Sequence, residues 1–349
     1  MTKQIEVGVL GATGMVGQQF VRELNGHPWF KLTWLGASER SVGKTYREAA
    51  PWRLPGSIPD NMAGRKVEES APEGAPGLVF SGVDAAVAGE IESAFAQSGR
   101  TVVSNARNHR MDEVVPLLVP EINPGHLKLL SVQRQARGWR GAIVTNPNCS
   151  TVVLTLALAP LVEFGLRSVI VTTAQAVSGA GYPGVASLDV VGNVIPEVPG
   201  EEEKIETETK KIFGRLRDGR IEPHAVVVSA ATTRVPVING HTEMVSVKLD
   251  GEPSEEDLRS AFDRFRGRPQ EVKLPSAPPS PVVYLDTPLR PQPRLDADRA
   301  GGMAVTVGRL RPCGVLDYKF VALGHNTVRG AAGAAILNAE MMYVDGLLD

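Results

Sequence analysis

Seven residues near the start of the chain narrow its architecture more than any other feature. Gly11-Ala12-Thr13-Gly14-Met15-Val16-Gly17 follows an apolar run at residues 5–10. It precedes a stretch with helical spacing at 15–24, where Val16, Phe20 and Leu24 share one face. A strand, a glycine-rich turn and a helix in that order open a dinucleotide-binding unit. Gly11 permits the tight turn, Gly14 lets the backbone approach a pyrophosphate, and Gly17 lets the helix pack on the strand. The helix start then offers free N–H groups and the positive end of its dipole to the phosphates. The spacing is G-x-x-G-x-x-G, not the commoner G-x-G-x-x-G, so placement carries as much of the argument as the glycines do.

The alternation continues. Residues 32–37, 78–82, 101–105 and 142–145 read as strands and 85–97 as a helix, which implies an α/β chain with a Rossmann-like, doubly wound parallel sheet. A long apolar helix follows at 151–164. The pattern then changes: 168–176, 225–231, 242–249, 303–310 and 318–323 read as strands with few helices between them. A second, α+β domain on a mixed or antiparallel sheet is expected there. Residues 269–293 carry eight prolines and read as a surface connection or covering loop. The last helix, 327–342, is rich in Gly and Ala and suits close packing on the first domain. The expected division is 1–148 plus about 325–349 for the nucleotide-binding domain and 149–324 for the second, and 349 residues suffice for two cores.

Composition excludes whole classes of function. With 37 Lys+Arg against 39 Asp+Glu the formal net charge is −2, so the chain lacks the basic excess that nucleic acid or an anionic membrane requires. Cys149 and Cys313 are too few for a disulfide scaffold and fit a reducing compartment. The opening Met1-Thr2-Lys3-Gln4-Ile5-Glu6 lacks the charged-then-apolar build of a signal peptide. The longest apolar stretch, 152–162, falls short of the ~20 residues that span a bilayer. A cytoplasmic location is expected.

Two loops carry chemistry. The second strand ends at Ser38-Glu39-Arg40-Ser41. An acidic residue there suits the ribose hydroxyls of NAD, whereas a guanidinium flanked by two hydroxyls suits a 2′-phosphate, so NADP is favoured and Glu39 keeps NAD open. Asn146-Pro147-Asn148-Cys149-Ser150-Thr151 joins a strand to the apolar helix, which puts Cys149 at a helix N-terminus where the dipole lowers a thiol pKa. A thiolate attacks acyl carbons and holds them as thioesters. A lone cysteine is more often a small buried hydrophobe, but the nucleotide loop upstream favours catalysis; Cys313 has no such context and reads as structural. Among six histidines His241 is best placed as acid/base, opening a strand after the Asn239-Gly240 turn, close in sequence to Arg234. With a pKa near neutrality it would assist the thiolate as imidazolium and accept a proton as imidazole. His27 and His126 read as surface residues, and pattern alone leaves His109, His224 and His325 open. No pair of His or Cys has metal-ligand spacing, so no catalytic metal is expected.

These segments together resemble the aspartate-semialdehyde dehydrogenase family, almost end to end. The resemblance rests on the Gly11–Gly17 loop, Asn148-Cys149-Ser150-Thr151, Gln175-Ala176-Val177-Ser178-Gly179-Ala180-Gly181, and Glu201-Glu202-Glu203-Lys204 leading to Glu208-Thr209-Lys210-Lys211-Ile212. It continues through Arg234 to His241 and His325-Asn326-Thr327-Val328-Arg329-Gly330-Ala331-Ala332-Gly333. Ser104-Asn105-Ala106-Arg107-Asn108-His109-Arg110 resembles the archaeal and fungal branch. The resemblance implies reduction of L-aspartyl-4-phosphate to L-aspartate-4-semialdehyde with NADPH and release of inorganic phosphate. It implies that Cys149 forms the thioester, His241 is the acid/base and Gln175 orients the substrate or thioester. Asn148 would lie beside the substrate, Arg234 would pair with its carboxylate, and Arg110 and Lys204 would hold phosphate. Glu201 would bind the ammonium, although spacing alone reads Glu201 and Lys204 as an ordinary solvated helix pair and does not choose among the three glutamates. Thr13, Gly14, Met15, Val16, Ser38, Arg40, Ser41, Ser178, Gly179 and Asn326 match the family's nucleotide-binding pattern. The family also implies a homodimer or homotetramer. A close alternative is an archaeal-type malonyl-CoA reductase, which would use the same cysteine on a thioester. A nucleotide-sensing protein without catalysis is disfavoured by the intact Cys149 and His241.

Overall fold

The computed structural model describes residues 4–348; the first three residues of the opening stretch, and Asp349 at the far end of the expected first domain, lie outside the described residues. Six parallel strands form the first sheet: β1 (Ile5–Leu10), β2 (Phe30–Ala37), β3 (Glu68–Glu69), β4 (Leu78–Ser81), β5 (Thr101–Ser104) and β6 (Ala142–Thr145), in the order β3-β2-β1-β4-β5-β6. Helices α1 (Met15–Glu23), α2 (Ala85–Gln97) and α3 (Leu129–Arg137) belong to this half. The four residues of β4 and of β6 are buried throughout, as strands covered on both faces must be. The order reverses at β1, so the loops after β1 and β4 diverge and open a crevice at the carboxyl edge.

The second sheet is mixed. It contains β7 (Leu166–Gln175), β10 (Val227–Arg234), β11 (His241–Leu249), β12 (Val282–Leu285), β13 (Val305–Pro312) and β14 (Tyr318–Gly324), while β8 (Arg215–Arg217) and β9 (Arg220–Glu222) form a separate hairpin. The order is β10-β7-β11-β14-β13-β12, with β10 parallel to β7 and β11 antiparallel to both its neighbours. Helices α4 (Cys149–Leu158), α5 (Glu201–Ile212) and α6 (Glu255–Arg264) accompany this sheet. Val152, Leu156 and Leu158 of α4 share one apolar core with Val169, Val171, Val245 and Val247 of the sheet. Burial of each such side chain stabilises the fold by roughly 1.5–3 kcal/mol.

Three expectations need correction. The proline-rich 269–293 is not only a covering loop: it contributes β12, an edge strand parallel to β13, and buries Leu274 in the first core. The strand itself, Val282-Val283-Tyr284-Leu285, is free of proline; Pro281 and Pro288 flank it. The 151–164 helix is α-helical only to Leu158 and continues as a 3-10 turn over Ala159–Phe164, where Pro160 removes a donor. His27 and His126 are buried. His27 Nδ1 accepts the N–H groups of Trp29 and Phe30, and its Nε2 meets Glu340 at 2.7 Å, while His126 Nε2 meets the Gly214 carbonyl at 3.0 Å.

The C-terminal helix α7 (Gly333–Val344) returns to the first sheet, where Ala335, Ile336, Ala339 and Met342 join Val7, Phe20 and Phe80 in one core. Close approach needs the small residues: a Cβ at Gly333 would fall 2.5 Å from Met303 Sδ. Among the described residues no helix is long and apolar enough to cross a membrane.

Candidate active site

The nucleophile candidate is set by a cap. Asn148 Oδ1 accepts the N–H groups of Ser150 (3.0 Å) and Thr151 (3.2 Å), so α4 starts at Cys149. The topology brings the other groups to the same place. Parallel β7 and β10 end in register at Gln175 and Arg234, and antiparallel β11 starts beside them at His241. Cys149 Sγ lies 3.2 Å from His241 Nε2. The Ala176 N–H donates to His241 Nδ1 at 3.0 Å, so the neutral ring carries its proton on Nε2, directed at the sulfur.

Burial overrides the helix dipole here, which corrects the expectation of a low-pKa thiol beside a near-neutral histidine. The Cys149 thiol is pushed up to about 12, first by desolvation and then by the Glu201 carboxylate, against the opposite pull of Arg110 and Arg234. His241, fully buried, is pushed down to about 3 by desolvation and the nearby Arg234 cation. At neutral pH the pair is therefore thiol and imidazole, each uncharged.

A cavity of about 370 Å³ opens in front of Cys149. Arg110, Asn148, Gln175, Glu201, Lys204 and Arg234 line it, as do Met15, Val16, Ser178, Gly179 and Asn326. His241 does not; it reaches Cys149 from behind the wall. Arg234 donates to the Ala176 carbonyl (2.8 Å) and lies 3.5 Å from Gln175 Oε1. Asn326 ties the walls together, donating to Ser178 Oγ and accepting the Gly240 N–H. Of the three adjacent glutamates only Glu201 faces the cavity, accepting from Asn148 Nδ2 and Lys204 Nζ at 2.6 Å each. Glu202 accepts the Thr232 N–H and Glu203 is exposed. His109 faces Glu92 at 3.7 Å and His325 faces Asp298 at 3.5 Å, both outside the cavity.

Thr13, Gly14, Ser38, Arg40 and Ser41 are not part of this cavity. They lie in the loops after β1 and β2, strands that neighbour each other in the sheet. That edge fits a dinucleotide pyrophosphate. Gly11 has φ +70, and a Cβ at Gly17 would fall 2.1 Å from the Gly11 carbonyl oxygen. Helix α1 has no side-chain cap and no acidic residue in its first turn, which leaves its leading N–H groups for an anion.

Two regions match family models: residues 6–130 match the semialdehyde dehydrogenase NAD binding domain, and 158–329 the semialdehyde dehydrogenase dimerisation domain. Aspartate-semialdehyde dehydrogenase of Archaeoglobus fulgidus is 50% identical over 343 residues, covering 98% of this chain and 99% of its own. The chain belongs to the aspartate-semialdehyde dehydrogenase family. The Cryptococcus neoformans aspartate-semialdehyde dehydrogenase is 49% identical over 99% of this chain and 98% of its own. The crystal structure of the Candida albicans aspartate-semialdehyde dehydrogenase with NADP matches with a TM-score of 0.91 at 41% identity, over 99% of this chain and 100% of that one.

The site of this aspartate-semialdehyde dehydrogenase family member includes residues to which the sequence reading assigned no role. Glu208 and Lys211 continue the α5 face of Glu201 and Lys204; their spacing was the available signal. Lys211 Nζ donates to the carbonyls of Arg110, Asp112 and Val115 at 2.7–2.9 Å, and burial pushes its pKa down to about 8. Gly330 is the other. It lies in a π-helical turn, Val328–Ala332, fixed by Arg329, whose guanidinium forms a fully buried two-bond pair with Glu121 (2.8 and 2.6 Å). A Cβ at Gly330 would fall 2.7 Å from Cys149 Cβ and 3.1 Å from its Cα. Backbone-anchored atoms cannot swing aside, so Gly330→Ala should displace the sulfur and lower turnover on the order of 10²-fold, with NADP affinity little changed. Steady-state kinetics beside a fluorescence titration would check this; turnover within a few-fold of wild type would show that the helix start can shift.

Proposed function

We propose that the protein performs the NADPH-dependent reductive dephosphorylation of L-aspartyl-4-phosphate to L-aspartate-4-semialdehyde, in the biosynthesis of lysine, threonine, methionine and isoleucine. The observation that carries this reading is the meeting of Cys149 Sγ with the His241 Nε2–H, beside a cavity lined by Arg110, Lys204 and Arg234. Its relatives are named for this activity, and nothing in the site favours the malonyl-CoA reductase reading.

Arg234 pairs with the substrate carboxylate, Glu201 with its ammonium, and Arg110 and Lys204 hold the phosphate; Asn148 and Gln175 orient the reacting acyl group. Cys149 Sγ attacks the acyl carbon, forming the C–S bond as the C–O bond to phosphate breaks. The thiol proton leaves on the phosphate, because His241 Nε2 already carries one. NADPH, when bound, supplies hydride to the thioester carbon. The His241 Nε2–H then stabilises the oxyanion of the thiohemiacetal and, when the C=O re-forms and the C–S bond breaks, the departing thiolate. A solvent proton restores the thiol. No step requires His241 to titrate.

The cofactor is held by the Thr13–Val16 turn, with Ser178, Gly179 and Asn326 near the nicotinamide end and Ser38, Arg40 and Ser41 at the 2′-phosphate. Arg40→Ala should weaken NADP by about 1.5–3 kcal/mol and NAD much less; equal losses in titrations with both nucleotides would remove Arg40 from that role. The nucleotide domain comprises 1–148 with about 325–349, and 149–324 is the catalytic and dimerisation domain. The outer face of the second sheet exposes Ile170, Val227 and Met244, which suits a second copy of the chain in a homodimer or homotetramer. The free Cys149 and Cys313 suit the cytoplasm.

The test of the reading is NADP reduction by aspartate semialdehyde with and without inorganic phosphate, beside malonate semialdehyde with coenzyme A. Phosphate-dependent turnover of aspartate semialdehyde is expected. Turnover that needs coenzyme A and ignores phosphate would replace this reading with the reductase.

A further inference from the structure

The anion-holding arginine and the nucleophile's helix are joined through one carboxylate. Glu208 is buried to 2% exposure on α5. One oxygen accepts from Arg110 Nη1 at 3.0 Å; the other accepts the backbone N–H of Asn148 at 2.6 Å. Asn148 is the cap of α4, and its side chain is gripped by Glu201, two turns back along the same face. Lys211, one turn on, clamps the carbonyl of Arg110 itself. Arg110 Nη2 is used by the Asn105 carbonyl (2.7 Å), while its buried Nε has no protein partner among the described residues. The guanidinium is thus oriented by the protein on two nitrogens, and the same acid that orients it fixes the residue before Cys149.

We propose that Glu208 is a positioning residue that couples the phosphate-holding Arg110 to the placement of Cys149. Both of its partners are donors, so the position needs two acceptor oxygens on one group. A glutamine offers one acceptor and one donor, and must face either Arg110 or the Asn148 N–H with the wrong end. The coupling rests on the reading of Arg110 as the phosphate-holding cation.

The experiment is a double-mutant cycle of Glu208→Gln and Arg110→Lys, read as the KM for inorganic phosphate and kcat in the oxidative direction with aspartate semialdehyde and NADP. Glu208→Gln should raise the phosphate KM on the order of tenfold, as expected for a misdirected charge-assisted contact. NADP affinity should change little, while the melting temperature should fall, since the buried Arg110 loses its charged partner. In the Arg110→Lys background the same substitution should add much less to the phosphate KM, because Glu208 acts through that guanidinium. An unchanged phosphate KM in Glu208→Gln, or a full effect in both backgrounds, overturns the coupling while leaving Arg110 in place. An unchanged phosphate KM in Arg110→Lys overturns the Arg110 reading and the coupling with it. Glu208→Asp keeps both acceptors but withdraws them by one methylene; should Glu208→Gln not fold, a phosphate KM in Glu208→Asp equal to wild type overturns the proposal, and a several-fold rise supports it.

Discussion

Cys149→Ser should lose several orders of magnitude in turnover while binding NADP within a few-fold of wild type. Burial already pushes the thiol up to about 12, and a serine hydroxyl in the same place lies much further from ionisation. The substitution is nearly isosteric at the first residue of α4, and the cap at Asn148 does not involve the side chain of residue 149, so the fold and the nucleotide turn are untouched. Steady-state rates and a nucleotide titration on one preparation check both halves. Near-normal turnover would remove Cys149 from the chemistry.

His241→Asn should lower turnover by about 10²–10³-fold with a small change in substrate KM, the loss expected for one preorganised donor to the oxyanion. Asparagine's Oδ1 replaces Nδ1 as acceptor for the Ala176 N–H but leaves no donor at the sulfur. The pH dependence discriminates further. His241 is neutral above about pH 3, so the ratio of wild-type to variant rates should stay flat between pH 6 and 8. A ratio that changes tenfold across that range would place the histidine's titration near neutrality. Stability has a definite sign as well. The unfolded chain protonates this histidine below about 6.5 and the folded chain does not until about 3, so wild type loses stability as pH falls through that window. His241→Asn should lose less.

The parts of the molecule legible in sequence are those written in local pattern. The Gly11–Gly17 turn, the alternation through β6 and the start of α4 after Asn148 all depend on neighbours within a few residues, and the elements lie where that pattern puts them. The β12 edge strand is masked in sequence because its four β-prone residues, Val282-Val283-Tyr284-Leu285, sit among eight prolines that read as loop. By spacing alone Glu201 and Lys204 read as a solvated helix pair, and Glu208 and Lys211 on the same helix carry no role. The burial of Glu208 and Lys211 comes from packing α5 against a loop a hundred residues earlier. His27 and His126 read as surface residues for the same reason: the Glu340 and Gly214 groups that meet them are remote in sequence. The protonation state of the Cys149–His241 pair was beyond local reasoning altogether, since the dipole at a helix start is local and the desolvation that opposes it belongs to the assembled core.

A single-turnover experiment addresses the thioester directly. The protein is mixed with L-aspartate-4-semialdehyde and NADP in phosphate-free buffer, and NADPH formation is followed beside the intact mass. The thioester mechanism predicts a burst of about one NADPH per site, an aspartyl adduct mapped to Cys149, and renewed turnover when inorganic phosphate is added. Continuous turnover without phosphate, or a burst that leaves Cys149 unmodified, would contradict it.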